Sequence, residues 1–250
     1  MINIKSEWEL DIMRTCAHVT GEILRDLAGY IEPGMSTLDI NQFVENRIRK
    51  AKMTPSFLGL YDFPASACIS VNEEVVHGIP RADRILKEGD IVSVDTGATY
   101  KGYVSDAART YPVGEVSQVA KDLMAAAEKG FFAAIEFAKP GFRVSDISHA
   151  VQETVEAEGF GIVRELVGHG VGRVMHEDPQ IPNYGKAGRG PRIAKGMVFA
   201  IEPMITEGTY EVEVLSDEWT YVTADRKMAA HYENSVIITD GKPEIITLVK

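Results

Sequence analysis

The chain has few of the residues that would cross-link it by disulfides, anchor it in a membrane or bind a nucleic acid. It contains two cysteines among 250 residues, too few for a disulfide framework, and they lack the paired spacing of a zinc site. No apolar run approaches the roughly 20 residues that span a bilayer, and the N-terminal segment carries acidic residues where a secretory signal would be apolar. These absences favour a reducing, cytoplasmic compartment and argue against a membrane protein.

Positive charge is scarce as well. Lys and Arg number 26 against 37 Asp and Glu, which gives a formal net charge of −11, so we do not expect the clustered basic surface that recognises nucleic acid. The hydrophobic share of 45% and the charged share of 25% are usual for a soluble globular protein. A chain of this length forms one large domain or two small ones.

Four carboxylates and two histidines lie in distinctive short motifs. The motifs are HGIP, VSVDTG, SDAA, GHGVGRVMHE, AIEP and YENS, and the residues are His77, Asp95, Asp106, His169, Glu202 and Glu233. Carboxylate oxygens with few histidines and no thiolate are typical of a site for divalent metal ions. Four carboxylates in one cavity would repel each other, so their meeting would require cations.

Two similar pairs of helices are predicted. In the first pair, a capping box that starts at Ser6 begins one helix, and a second helix begins near Asp39. In the later pair, one helix spans about residues 117–138 and the next begins near Asp146. A Pro-Gly pair separates the two helices of each pair.

One constant offset relates these helices and two acidic strands. The offset from Pro33 to Pro140 (140 − 33 = 107) is the same as that from Asp95 to Glu202 (202 − 95 = 107), and each of these acids ends an apolar strand. A shared register of this kind predicts an internal duplication. The predicted halves are about residues 6–113 and 114–250. A pocket is expected at the seam between them.

Two of the acids are predicted to meet across a hairpin. Asp95 ends one strand and Asp106 begins the next, and residues 99–102 read as the loop between them. In this register Asp95 lies directly opposite Asp106, with Cβ atoms roughly 4.5–5.5 Å apart. The alternative is a pair of turn acids that face solvent.

The remaining candidates also have ordinary explanations. Glu202 can be a charged strand end or a metal ligand, and Glu233 can face solvent from its alternating strand. His18 and His149 are expected on helix surfaces. His231 shares a strand face with Glu233, which leaves a structural role and an outer-sphere metal role both open.

At these motifs the sequence resembles the methionine aminopeptidases of the type I, bacterial class. The resemblance runs from about Ser6 to Thr247 and includes VNEEVVHGIP, EGDIVSVDTGATYKGYVSDAA, GHGVGRVMHEDPQIPNYG and GMVFAIEP. It implies an α/β (α+β) architecture, the duplicated pita-bread fold, with an antiparallel sheet, covering helices and pseudo-twofold halves. It also implies one catalytic domain over residues 1–250 that acts as a monomer and contacts the ribosome transiently.

The resemblance implies a role for each candidate residue. Two divalent ions are expected, with Mn, Fe(II) or Co favoured and Zn as the alternative. Asp106 and Glu233 would bridge both ions, Asp95 would hold one ion, and His169 and Glu202 would hold the other.

The implied reaction is hydrolysis of the first peptide bond, which releases an N-terminal methionine ahead of a small second residue. Glu202 would act as general base, His176 would donate to the carbonyl oxygen, and His77 would contact the scissile nitrogen. The methionine side chain would enter a pocket whose candidate residues could equally be plain core. They are Phe57, Leu60, Phe63, Cys68, Met175 and Trp219.

Some positions depart from the family pattern, and two rival functions remain. Asn234 stands where relatives commonly have His, and Phe57 and Leu60 stand where some have Cys and Tyr. The nearest rival is a proline-specific peptidase of the same fold, and the other is a binding module that has lost its metal.

Overall fold

Helices and short strands alternate along residues 1–249, the part of the chain that this computed structural model describes. The helices are α1 (Glu7–Leu27), α2 (Thr37–Lys50), α3 (Gln118–Ile135) and α4 (Val144–Ala157). The strands of the first half are β1 (Thr54–Pro55), β2 (Ala67–Val71), β3 (Glu74–Val76), β4 (Ile91–Thr96), β5 (Ala98–Tyr100), β6 (Tyr103–Val104) and β7 (Ala107–Pro112). Those that follow are β8 (Gly161–Ile162), β9 (Gly168–Gly170), β10 (Glu177–Ile181), β11 (Val198–Ile201), β12 (Met204–Thr206), β13 (Val212–Val214), β14 (Tyr221–Thr223), β15 (Ala229–His231), β16 (Asn234–Ile237) and β17 (Glu244–Ile245).

Local capping determines where the helices begin. The Glu9 carboxylate accepts hydrogen bonds from the Ser6 backbone N–H (2.8 Å) and hydroxyl (2.9 Å), so the predicted capping box of α1 is confirmed. In α2 the Asp39 carboxylate accepts from the Ser36 N–H at 2.8 Å, and in α4 Asp146 accepts from the preceding loop in the same way. Asp39 and Asp146 are therefore third residues of their helices, and both helices begin two residues earlier than predicted.

The offset seen in the sequence recurs throughout the backbone. Helix α4 repeats α2 at both its start (144 − 37 = 107) and its end (157 − 50 = 107), and β11 repeats the start of β4 (198 − 91 = 107). The isolated bridge between Ser36 and Ile85 returns at the same offset between Arg143 and Arg192. These equivalences support two related halves, and the boundary between them near residue 113 stays a prediction.

The predicted register of the hairpin is wrong by two residues. Strands β5 and β6 pair Thr99 with Val104 and Tyr100 with Tyr103, so the loop has only two residues, Lys101 and Gly102. Both adopt positive φ, +49° and +79°, which is the backbone of the tight turn that suits strand twist.

As a result, Asp95 pairs with Ala108 and does not lie opposite Asp106. A shift of two residues keeps side chains on the same face of the sheet. The two acids therefore stay on one side, although Asp106 lies in the short connection before β7.

Antiparallel sheets form the centre of the molecule, and helices cover them. One sheet has the order β2-β4-β7, and another has the order β10-β9-β11-β16-β17. Reciprocal backbone hydrogen bonds between Ala108 and Glu233 join the two sheets. Helices α1 and α2 supply one buried cluster and α3 and α4 another. No helix within residues 1–249 combines the length and apolar character needed to cross a bilayer.

Candidate metal centre and substrate cavity

Five side chains from different strand ends converge where the sheets meet. Asp95 comes from β4 and His169 from β9, while Asp106, Glu202 and Glu233 lie in the short connections beside β7, β11 and β16. The Nε2 atom of His169 lies 3.6 Å from Asp106 Oδ2 and 3.5 Å from Glu202 Oε1. The structure thus brings together all five residues that the sequence predicted as metal ligands.

Glu233 lies at the centre of two adjacent groups of possible ligands. In one group, single ligand atoms of Asp106, His169 and Glu233 all lie within 4.8 Å of one another, and in the other the same holds for Asp95, His231 and Glu233. The shared Glu233 is consistent with a bridging position. The sequence did not predict that His231 would belong to a group of possible metal ligands.

The four carboxylates are buried without enough hydrogen-bond donors. Exposure is 9% for Asp95, 4% for Asp106 and 1% for Glu233. One oxygen on each of these acids, and one on Glu202, has no hydrogen-bond partner among the described residues. Burial raises the pKa of Asp95 to about 8 and raises the pKa of each of the other three acids well above its usual value. Buried carboxylates in this condition are costly unless a cation neutralises them, so the residues fit divalent metal.

The histidines of the site are held neutral. Burial lowers the pKa of His77 and of His169 to about 4 and also lowers the pKa of His176. The Nδ1 atom of His169 lies 2.9 Å from the carbonyl oxygen of Gly170, so Nδ1–H can donate there while Nε2 faces the acids. The rings of His169 and His176 are 4.5 Å apart.

One cavity connects the acids to an apolar wall. All eight residues predicted to contact substrate line it together with the five acidic and histidine ligands. Phe63 and Trp219 meet edge to face with ring centroids 5.0 Å apart. The lining residues from the predicted set are Phe57, Leu60, Phe63, Cys68, His77, Met175, His176 and Trp219.

Sequence reasoning missed several residues of this cavity. Tyr61 lies in an exposed turn with φ of +51°, and its ring stacks 5.8 Å from that of His176. Nothing in its spacing indicated this contact, whereas His231 gave a signal because it lies two residues from Glu233 on a strand. The missed residues are Tyr61, Val76, Leu166, Val167 and Met204, and the role of His231 was left open.

Asn234 faces away from the cavity and organises the backbone behind it. Its Oδ1 accepts hydrogen bonds from Arg109 Nη2 (2.6 Å) and from the Thr247 hydroxyl (2.9 Å). The Arg109 guanidinium also donates to the carbonyl oxygen of Glu233 and stacks over Tyr232. Asn234, which stands where relatives commonly have His, therefore helps to hold the backbone segment that carries Glu233.

Comparison with known proteins assigns the family. The sequence profile of metallopeptidase family M24 matches residues 11–240, which include every residue of the candidate centre. The chain belongs to metallopeptidase family M24. This M24 metallopeptidase is 51% identical over 248 residues to a methionine aminopeptidase of Clostridium acetobutylicum, and the match covers 99% of each chain.

Solved structures agree with the predicted pita-bread fold. A methionine aminopeptidase from Thermotoga maritima superposes with a TM-score of 0.97 at 46% identity and covers 99% of each chain. Prolidase from Pyrococcus furiosus has a TM-score of 0.79 at 22% identity, and the match spans 66% of that chain, so it shares the fold alone. The predicted mixed α/β pita-bread architecture of this M24 metallopeptidase is confirmed.

Proposed function

We propose that this M24 metallopeptidase removes the N-terminal methionine of proteins and peptides, with a preference for a small second residue. The observation that carries the proposal is a cluster of buried carboxylates with unpartnered oxygens at the end of an apolar cavity. The relatives named methionine aminopeptidase, at 51% and 46% identity over nearly the full chain, support the same activity.

Two divalent ions fit the donor set. Asp106 and Glu233 would bridge them, Asp95 would hold one ion, and His169 and Glu202 would hold the other. Oxygen-rich ligation favours Mn, Fe(II) or Co, with Zn as the alternative. When bound, the ions would polarise the peptide carbonyl and lower the pKa of a water molecule to about 7.

Glu202 is the proposed general base. It ends the apolar strand β11, its side chain is 12% exposed, and its Oε1 has no hydrogen-bond partner among the described residues. It can therefore take a proton from the attacking water without first giving up an internal bond.

Two histidines would act on the substrate. Neutral His176 carries an N–H that would donate to the carbonyl oxygen as negative charge develops there. His77, with φ of +60°, would contact the scissile nitrogen. Non-glycine residues with this backbone conformation occur in turns and also cluster at active sites.

The apolar wall would accept the methionine side chain. Phe63, Met175 and Trp219 offer the soft aromatic and sulfur surfaces that a thioether contacts favourably. One methylene contributes only about 1–3 kcal/mol to discrimination, so selectivity would come from the shape of the whole pocket.

Activity on short peptides tests this function against its rivals. The protein is stripped of metal, reloaded separately with Mn, Fe(II), Co and Zn, and given Met-Ala-Ser and a set of Xaa-Pro peptides. We expect methionine release from Met-Ala-Ser with at least one metal. Turnover of the Xaa-Pro peptides alone would establish the proline-specific rival, and absence of any metal binding would favour the binding module.

The proposed substrate also bears on where the protein acts. Nascent N-termini arise at the ribosome, so we propose a cytoplasmic monomer that contacts it transiently. Sedimentation at micromolar concentration is expected to give one species of 27.5 kDa, and a stable dimer would contradict this part.

A further inference from the structure

His231 lies beside the proposed ligands but has no role in the proposed reaction. We propose that its Nε2 atom is a direct ligand of the ion held by Asp95 and Glu233, which gives each of the two ions one imidazole. The inference rests on the proposed dinuclear function, because it adds a sixth protein ligand to that centre.

The position of the imidazole supports direct ligation. Nε2 lies 3.5 Å from Glu233 Oε2, and one ligand atom each of Asp95, His231 and Glu233 falls within 4.8 Å of the others. This group meets the same 4.8 Å limit as the one formed by Asp106, His169 and Glu233. A separation of 3.5 Å is long for a hydrogen bond to a carboxylate but suits two atoms that share a cation.

The surroundings of the ring do not satisfy its polar atoms. His231 is 1% exposed, and neither ring nitrogen has a hydrogen-bond partner among the described residues. Buried polar groups in native proteins are almost always satisfied. A metal ion bound at Nε2 would satisfy the ring nitrogen nearest to Glu233, together with the unpaired oxygens of the neighbouring carboxylates.

Hydrogen bonds hold the backbone that carries the ring. The His231 N–H donates to Thr110 Oγ1 at 2.9 Å, and the Thr110 hydroxyl donates back to the His231 carbonyl oxygen at 2.9 Å. On the other side, His231 pairs with Met204 across β15 and β12. Because the backbone on both sides of the residue is held, ligation would need only adjustment of the side chain.

An additional imidazole changes which metal the site prefers. Imidazole suits Fe and Zn whereas carboxylate suits Mn, and at a given site Co(II) binds more tightly than Mn(II). Replacement of His231 by glutamine keeps a group that can hydrogen-bond to Glu233 but removes the nitrogen ligand. We expect the variant His231→Gln to bind Co(II) at least about 10-fold more weakly, since loss of even an outer partner costs about 10–100-fold, with a smaller effect on Mn(II).

Proton NMR of the Co(II)-loaded protein reports the ligands without use of activity. Imidazoles bound to Co(II) give strongly shifted N–H resonances that disappear in D₂O. The wild-type protein with two equivalents of Co(II) is expected to show two such resonances. His231→Gln should lose one of them and His169→Gln the other.

The control is His18→Gln, which alters an imidazole that is 61% exposed on α1 and should leave both resonances and the Co(II) affinity unchanged. A single shifted resonance in the wild-type protein, lost only in His169→Gln, would overturn the role of His231 and leave the dinuclear function standing. Wild-type protein that binds no Co(II) would overturn both. The wild-type count requires no variant, so a misfolded substitution cannot obscure the result.

Discussion

At the scale of single residues, the chemistry of this chain lies in side chains that its own hydrogen bonds leave unsatisfied. Most buried acids in proteins are paired with donors, yet the acids of this cluster each keep one free oxygen within the described chain. Protonation or bound cations relieve the cost of that arrangement. We therefore propose that the cluster serves function and does not serve stability.

Replacement of Glu202 by glutamine tests the proposed base. The amide cannot accept a proton in the transition state and is a weaker ligand, so kcat for Met-Ala-Ser should fall about 10²–10⁴-fold. The comparison is Glu136→Gln, which changes an exposed carboxylate at the end of α3 and should leave kcat unaltered. Full activity in Glu202→Gln would remove Glu202 from the mechanism.

Prediction from sequence worked best for the two acids that stand at or just after the end of an apolar strand. Asp95 and Glu202 are placed by strand length alone, and both reach the centre. Tyr61 could not be found, since its place at the cavity mouth depends on a turn with positive φ that no periodicity encodes. The role of His231 could not be assigned for a related reason. The alternation of side chains along a strand shows which face His231 occupies, but it does not show which residues pack against that face.

At the scale of helices and strands, the sequence predicted the start of α1 correctly but the pairing of β5 with β6 wrongly. The start of α1 followed from Ser6 and Glu9 because a capping box involves only neighbouring residues. The β5–β6 hairpin was misread because the turn is closed by Lys101, a residue that rarely adopts positive φ. Because Lys101 adopts the left-handed conformation, the strands pair two residues away from the predicted register. A shift by an even number of residues keeps each side chain on its predicted face of the sheet, so Asp106 stays on the same face as Asp95.

A buried ion pair ties the hairpin loop that carries Met175 and His176 to the N-terminal segment. Lys5 Nζ lies 2.7 Å from Glu177 Oε2, with side chains 5% and 4% exposed. The other oxygen of Glu177 accepts a hydrogen bond from the Arg173 N–H at 2.8 Å. The pair thus connects the loop between β9 and β10 to a segment 172 residues away.

Replacement of Lys5 by methionine should therefore be severe. It removes the cation from Glu177 and leaves that carboxylate with only neutral donors, the Asn3 side chain and the Arg173 N–H. We expect the free energy of unfolding in urea to fall by about 3–5 kcal/mol. The matched control is Lys195→Met, which breaks an exposed pair with Asp240 of the same length, 2.7 Å, and should cost less than about 1 kcal/mol. Equal losses in the two variants would show that burial does not govern the Lys5 pair.

At the scale of the whole molecule, the two proposed halves meet where the chemistry lies. The constant offset could be found in the sequence because it relates residue types that mark particular places in the backbone. Proline and glycine mark the turns between helices, and the acids mark the ends of apolar strands. How the sheets join was not readable. The contact of Ala108 with Glu233 is made between strands far apart in the chain, and only tertiary packing determines it.

Metal binding should stabilise the whole fold through the carboxylate cluster. An ion at 100 times its Kd adds about 2.7 kcal/mol to the free energy of unfolding, so the melting temperature should rise on addition of Mn(II) or Co(II). In Glu233→Gln, the metal-free protein should be at least as stable as the wild type, because one buried carboxylate has been removed. The same variant should gain less from metal, and an equal gain in both proteins would place the ions elsewhere.

We propose that two divalent ions are held between Asp95, Asp106, His169, Glu202 and Glu233. Anomalous diffraction from a crystal grown with Mn(II) measures the positions of such ions directly. We expect two peaks, both bounded by these five side chains and with Glu233 in contact with each. Peaks outside the cluster, or no peak within it at saturating Mn(II), would show that these residues do not hold the metal.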